Sequence, residues 1–581
     1  MTRRMRSGGR ALAVVTASAL LLVGCAGLPT EGAVQSGASV AEGVSDARWQ
    51  FQPDGPDDGE SPEAIVLGFL DAAESPADDW SIAREFLSAE AAATWDPERQ
   101  ITVDAVNDRE VGDFEESPSN AESGFVDVRV TPTATVDDRG EYEIAAEEVR
   151  RPLEIRLALE EGEWRIDDLP DGVIVPSGSF ESIFSPQSLY YSAPGDRLVP
   201  DVRWFPETST LAERMVEELV EGGPASWLEV SVSSAFGEDD TVRRVDIDDD
   251  HVATVTLSPT VSEADEARRA RMLTQVQTTL AGIGVEGVRM IAAGEVVDTP
   301  PDDIASTEGG SRAIAMTDEG FGYVVPGEAP QEIPGLSAVM EERFAEGASA
   351  EDPATSITLS ADLSQAAVQS ESEAIWRVRG DGSFQPLTYE EGWVRPSLDP
   401  FDYVWSAQAD APERLHAWGA DDEPVDVTGL GGLTEVADLE VSRDGARIAV
   451  AGRIDDQWLL VLAGIRRDDE GQPVGLSNLR QIGLLTDEPD RLTWVADDIV
   501  AVTLPGDGRT IIGEHNVGAG TPERLTASFV VTAMTYGNVQ SNERLLAGDG
   551  SLYVRKAPTW TQAGTGVRVL ATQMGSLTLQ E

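Results

Sequence analysis

One cysteine and three histidines occur in this chain, and Lys556 is its one lysine; each scarcity removes a class of function. With Cys25 alone no intrachain disulfide can form, so each folded part must be large enough to stand on its own apolar burial. His251, His416 and His515 are scattered. Neither an H-E-x-x-H zinc pattern, a G-x-S-x-G nucleophile elbow nor a G-x-x-x-x-G-K-[ST] phosphate loop occurs. Positive charge is also scarce, with 42 basic residues against 105 acidic ones and a net charge of −63. Phosphate binding needs a basic face, so no nucleic acid is expected as a partner. The acidity suits a saline exterior, where screening relieves self-repulsion, and it equally suits an ordinary well-solvated exported protein. The expectation is a chain that is not an enzyme and holds no metal.

Long apolar runs are missing as well. A membrane-spanning helix needs about 20 apolar residues, and Ala11 to Val23 supplies only 13 without a charge. Arg3, Arg4, Arg6 and Arg10 precede this run, and basic flank, short apolar core and small residues together read as a secretory signal. Leu22-Val23-Gly24-Cys25 resembles the bacterial lipobox, in which the Cys thiol is acylated and the peptide is cut before it. Gly24 and Cys25 are therefore the expected cleavage site, and Cys25 the lipidation site. No cofactor is expected beyond covalent diacylglycerol and an N-acyl lipid on Cys25. One acyl chain binds membranes marginally, whereas two or three hold almost permanently. Removing residues 1–24 takes four arginines and no acids, which deepens the net charge from −63 to −67. Acyl chains, not electrostatics, would hold such a body to an anionic membrane, on its extracytoplasmic face.

What is present divides the chain into five parts: a signal over 1–24, a tether over 25–60, and three folded regions. The tether is rich in Gly, Ser, Ala, Pro and Asp, with Trp49 and Phe51 as its docking candidates. Region 61–180 begins with Ser61-Pro62-Glu63-Ala64, a Ser N-cap with Pro in the first turn, and Ile65, Phe69 and Leu70 share one face. A second helix is expected over Trp80 to Thr94. Alternating strands follow, turned at Asp138-Arg139-Gly140 and at Glu161-Gly162. Two helices and a curling antiparallel sheet resemble the NTF2-like α+β class, whose cone is either a pocket or a core. Region 187–298 pairs "SLYYSAPGDRLVPDVRWF" as two strands, then a helix through Ala212, Met215, Val216 and Leu219. Strands are expected at "EVSVSSAF", "VRRVDI", "HVATVTL" and "GVRMIAA", with a helix through Met272, Leu273, Val276 and Leu280. This order resembles the GerMN domain.

Two motifs in that region invite a ligand reading. Gly282 to Gly287 spells G-x-G-x-x-G, but a dinucleotide fingerprint follows a strand and opens a helix, whereas this one closes a helix. Asp246-Ile247-Asp248-Asp249-Asp250-His251 gathers oxygen ligands without the Gly or the spacing of a Ca²⁺ loop, and reads as a polar hairpin tip.

From 305 to 581 the texture is short strands with a repeat. Ser360-Ala361-Asp362, Ser397-Leu398-Asp399 and Ser442-Arg443-Asp444 each precede an apolar strand, with weaker echoes at Asp497 and Ser541. The serines stand 37 and 45 residues apart. That period is a β-propeller blade, and the region accommodates six or seven. Trp376, Trp393, Trp405, Trp418, Trp458, Trp494 and Trp560 are expected mostly between blades, with some at a partner-binding rim.

The fold class is therefore multidomain: two small α+β domains, NTF2-like then GerMN-like, followed by an all-β propeller. With the lipobox and "GCAGLPTEGAVQ", this order resembles the actinobacterial LpqB lipoprotein family. The resemblance implies a membrane-anchored accessory regulator whose partner is the extracellular domain of the Mtr sensor histidine kinase, acting on cell-wall homeostasis and division. Two other classes stay open. A glycan-binding or hydrolytic propeller would show an acid cluster at its axis, and a ligand sensor would show a deep apolar cavity in the first domain.

Overall fold

The computed structural model describes residues 53–574 apart from 106–109, 119, 147–148, 346–351, 537–542 and 557–558, all within the unit Gln52–Glu581. Gly24, Cys25, the signal-like segment, Trp49, Phe51 and Ser541 lie outside the described residues. No described helix is long and apolar enough to cross a membrane.

Helix α1 (Pro62–Ala72) starts as its sequence predicts. The Ser61 hydroxyl accepts from the Ala64 amide at 3.3 Å, and the helix buries Ile65, Val66, Phe69 and Leu70. The expected helix over Trp80 to Thr94 is instead two short ones, α2 (Ser81–Glu85) and α3 (Ala89–Thr94). Ser88 breaks it by turning extended and capping α3 through the Ala91 amide. The Arg84 guanidinium donates to the carbonyls of Ala92 and Trp95 beside the break. Two layers wrap α1: four strands, Tyr142–Ile144, Pro132–Asp137, Gln100–Asp104 and Val173–Pro176, in one, and five in the other, Glu110–Val111, Asn120–Val130, Arg151–Glu160 and Glu163–Asp168 in order with Glu115–Ser117 also paired to Asn120–Val130. The chain passes between them at Thr131, whose amide donates to the fully buried Asp104 carboxylate at 2.6 Å. Helix α4 (Ser177–Ile183), which periodicity does not announce, closes the domain.

The second region opens with a long hairpin, Phe184–Ala193 against Arg197–Pro206, in ten-residue register. Helix α5 (Leu211–Glu217) runs on into a π-turn over Glu218–Gly222. Helix α6 (Glu266–Ala281) crosses over a sheet ordered Val242–Ile247, Val252–Leu257, Gly287–Ala292, Glu295–Val296. "EVSVSSAF" does not form the expected strand. Apart from a single bridge between Ser192 and Ser233 it is turns, because the α6 Gln275 carboxamide takes the Ala235 amide and donates to the Tyr190 carbonyl. Side chains here do what a strand partner would have done.

Among the described residues six blades make the propeller. Their innermost strands are Ala354–Leu359, Ser397–Leu398, Glu435–Val441, Arg491–Ala496, Val531–Thr535 and Val567–Gln573. The sixth blade is built from both ends of the region: Val567–Gln573 is inside, with Ile314–Thr317 and Gly320–Tyr323 outside it. Closing the ring this way leaves no open sheet edge between first and last blades. Helix α7 (Ser337–Phe344) packs on that sixth blade.

Candidate functional site

Each S-x-D repeat is the turn that leaves a blade's innermost strand. The Ser442 hydroxyl donates to Asp444 at 2.7 Å and accepts from the Arg447 amide, while Asp444 takes the Ala446 amide. Ser360 and Asp362 repeat the arrangement around the Ser364 amide. Asp399 takes the amides of Phe401 and Tyr403, the Trp405 indole N–H and the Arg467 guanidinium. Small polar side chains that bond their own backbone are what a tight turn needs, so the repeat marks turns. These three turns and the one at Asp497 each leave an innermost strand, so the four share one face of the propeller.

That face is covered from within the chain. Arg447 is fully buried and donates to Asp444, to the Asp497 carbonyl and to the Pro200 carbonyl on the hairpin, with its guanidinium 4.8 Å over Trp494. The Arg197 guanidinium lies 5.7 Å over the Phe401 ring. The connection between second region and propeller then runs across the face. The Ala305 amide bonds Asp196, Thr307 bonds Asp497 at 2.7 Å, the Gly310 amide bonds Gln573, and Arg544 bonds the Ser311 carbonyl.

The hairpin belongs to three cores at once. Trp204 and Phe184 join the first domain's core, where Trp204 meets Phe180 and Tyr142. Leu189, Tyr191 and Phe205 join the GerMN-like core. Ala193, Val199 and Val202 join Trp458 and Trp494 of the propeller. At the centre, Arg203 grips Asp201 through two hydrogen bonds of 3.1 and 2.7 Å, both residues fully buried. Asp201 also takes the Ala225 amide; Arg203 also reaches the Arg139 carbonyl and Glu218. Burial works against the Arg203 charge, but Asp201, Glu141 and Glu218 hold its pKa above the usual value. Burial pushes Glu218 up to about 6 against the pull of Arg203 and Arg139. The Asp138-Arg139-Gly140 turn docks here. Arg139 donates to Glu218 and to the carbonyls of Gly222 and Gly223. Gly140 has φ +79°, and a Cβ there would lie 2.8 Å from the Trp204 carbonyl. From the propeller, Arg480 reaches the Tyr142 carbonyl at 3.3 Å.

The propeller interior is acidic but sealed. Glu440 accepts from Thr493 and from the Trp494 amide of the next blade, and burial raises it to about 7 despite Arg443 and Arg395. Arg443 donates across two blades to the carbonyls of Trp494 and Tyr536. Asp438 pairs with Arg395 and takes the Leu492 amide. Glu514 and Glu543 share the Tyr536 hydroxyl and Arg555. These acids stitch blade to blade, and Glu440, Asp438, Glu514 and Glu543 are all buried.

The histidines are apart. His251 sits at φ +55° in the Asp246–His251 hairpin tip, where the Asp248 carboxylate takes the Asp250 and Val252 amides. His416 packs against Trp393 and Trp418 and pairs with Asp426, and His515 is buried, pushed down to about 4 by desolvation. Gly282 caps α6 and Gly287 opens a strand, as the reading of the glycine motif requires. Among the described residues no group of three or more His, Cys, Asp or Glu is placed to hold a metal. Trp405, Trp418 and Trp494 are fully buried, whereas Trp376 and Trp560 are half-buried. The hairpin's triple role escaped the sequence, although its unbroken burial over Arg197–Pro206 has a trace in "LVPDVRWF".

Three family models match successive stretches: Lipoprotein LpqB, N-terminal domain, over residues 55–181; Sporulation and spore germination over 188–298; and Lipoprotein LpqB beta-propeller domain over 337–570. The strands at 314–323 that close the sixth blade precede the last of these. Lipoprotein LpqB of Bifidobacterium longum is 26% identical over 602 aligned residues, covering 99% of this chain and 100% of that protein. Lipoprotein LpqB of Mycolicibacterium smegmatis is 27% identical over 564, covering 89% and 90%. Among solved structures, the tandem GerMN domains of the sporulation protein GerM from Bacillus subtilis align with TM-score 0.19 at 20% identity, over 24% of this chain and 59% of that one.

Proposed function

The chain belongs to the lipoprotein LpqB family, and from that premise we propose that it is an extracytoplasmic accessory regulator of a sensor histidine kinase, lipid-anchored through Cys25. In this reading it has no catalytic role. It binds the kinase's extracellular domain and so acts on two-component signalling, cell-wall homeostasis and division. The observation that carries the reading is the hairpin junction. One hairpin shares its side chains among three cores, so a load applied to the propeller is felt in the domain that follows the anchor. With the S-x-D face occupied by the chain itself, the surface left for a partner is the opposite face, where Asp410, Asp455, Asp507 and Asp549 occupy exposed turns.

The test is cross-linking of tagged protein in living cells, followed by isolation of membranes and identification of what co-purifies. Enrichment of the kinase's extracellular domain is expected, lost when turns of the open propeller face are altered. Recovery of glycan alone, or of nothing, overturns the reading in favour of a glycan-binding or hydrolytic protein. Cys25→Ser is expected to release the protein to the medium or leave its signal uncleaved. A variant that stays on the membrane with its signal removed defeats the anchor.

A further inference from the structure

The first domain is not packed solid. A cavity of about 240 Å³ lies within it, between its two sheets and the C-terminal half of α1. Its apolar walls include Phe69, Leu70, Leu153, Ile155 and Val173. It opens to solvent on one side, so an apolar ligand body could enter it without unfolding the domain. The wall at 169–172 is held rigid by bonds that do not cross the cavity: Gly172 donates its amide to the Asp96 carbonyl, and its own carbonyl accepts the Trp95 indole N–H. Gly172 is at φ +99°, and a Cβ there would strike the Gln100 carbonyl at 2.1 Å, so this wall has no room to close inward by substitution.

The rim is polar and asymmetric. Gln100, Arg151 and Asp171 are exposed there. Asp171 is already engaged, taking the Asp96 amide at 2.8 Å. Nearby, Arg129 and Arg150 share Glu110. Among the described residues nothing bonds the Arg151 guanidinium or the Gln100 carboxamide. A guanidinium with no bonding partner among the described residues, at the mouth of a largely apolar cleft, stands out in a chain with net charge −63.

We propose that this cavity is a binding site for a small amphiphile with an apolar body and a carboxylate head, the body between the sheets and the head on Arg151. By volume alone, a space of 150 Å³ accepts benzene, so the 240 Å³ cleft accommodates about ten non-hydrogen atoms, the size of a medium-length alkyl chain. The guanidinium's two parallel N–H groups match a carboxylate, and Gln100 adds a neutral donor beside it. The site is independent of the kinase reading: either can fail without the other.

Decanoate is the probe, titrated calorimetrically into the full chain carrying Cys25→Ser, which needs no detergent. One decanoate per chain is expected. Arg151→Gln, a change at an exposed rim position, should weaken it about tenfold, the worth of one charge-assisted hydrogen bond. Decan-1-ol should bind about tenfold more weakly than decanoate to the parent chain and equally to both proteins. Leu153→Trp, which fills the space, should abolish binding while the melting transition stays cooperative. Should Leu153→Trp fail to fold, Arg151→Gln alone decides. Absence of decanoate binding, or binding indifferent to Arg151→Gln, overturns the proposal.

Discussion

The first domain and the GerMN-like region are of one class, a sheet with helices laid on it, yet their helices cover the sheet differently. In the GerMN-like region α6 spans sixteen residues and buries Met272, Val276 and Leu280 fully against the sheet. Its polar positions are not wasted: Gln275 and the Thr279 hydroxyl hold the hairpin's backbone. In the first domain the helical material is split at Ser88, and the space beside Leu153, lined by α1 and the two sheets, stays open. A helix that interlocks with sheet and hairpin suits a coupler, whereas a cleft behind a rigid wall suits a receptor.

The largest effect should come from the centre of the coupler. Arg203→Ala leaves Asp201 charged and buried with a single amide partner, and losing one member of a buried pair costs about 3–5 kcal/mol. Denaturant titration should show that loss, and limited proteolysis should newly cut between the three regions; unchanged stability would mean the junction is ornamental. Next, identical overpacking should divide the two domains. Val276→Trp on α6 should cost about 1–3 kcal/mol, while Leu153→Trp is nearly neutral because its space exists. Equal melting temperatures for the two variants would erase the distinction.

Gly140→Ala places a Cβ against the Trp204 carbonyl at positive φ, which costs about 1–2 kcal/mol. The loss should appear as earlier proteolysis of the first domain with the propeller intact. The smallest effect is a pH dependence. Glu440 rises from an ordinary 4.5 to about 7 in the fold, so the folded state binds the extra proton between those values. Its contribution to stability is therefore full below about 4.5, falls as pH rises to 7, and is constant above. Relative to the parent, Glu440→Gln should gain stability between pH 5 and 7 and then level off, read from thermal melts at matched ionic strength. A flat difference across that range would place the proton elsewhere.

How much of this was legible in the sequence depends on whether a feature is local. The S-x-D turns, the α1 start at Ser61, and the turns at Gly140 and Gly162 bond or bend within a few residues, and such patterns can be read directly. "EVSVSSAF" alternates as a strand does, but alternation reports which side chains are buried, not whether a backbone partner lies alongside; the partner here is Gln275. The NTF2-like resemblance left open whether the first domain holds a pocket or a core; that a cleft stands there with Arg151 at its mouth was not legible, because its lining residues read as ordinary core residues in an alternating strand and a gap is a property of what faces them.

The sequence by itself determined the order of three domains and the polar turns of the blades. These are set by short-range chemistry: side chain to own backbone, periodicity of burial, and the reach of one motif. Tertiary structure alone decided that six blades close, with Val567–Gln573 inside Ile314–Thr317, because pairing between strands some 250 residues apart leaves no periodic mark on either. It alone decided that one hairpin serves three cores. A side chain's burial can be read from its neighbours in sequence, whereas the core it is buried in is settled only when the other walls arrive.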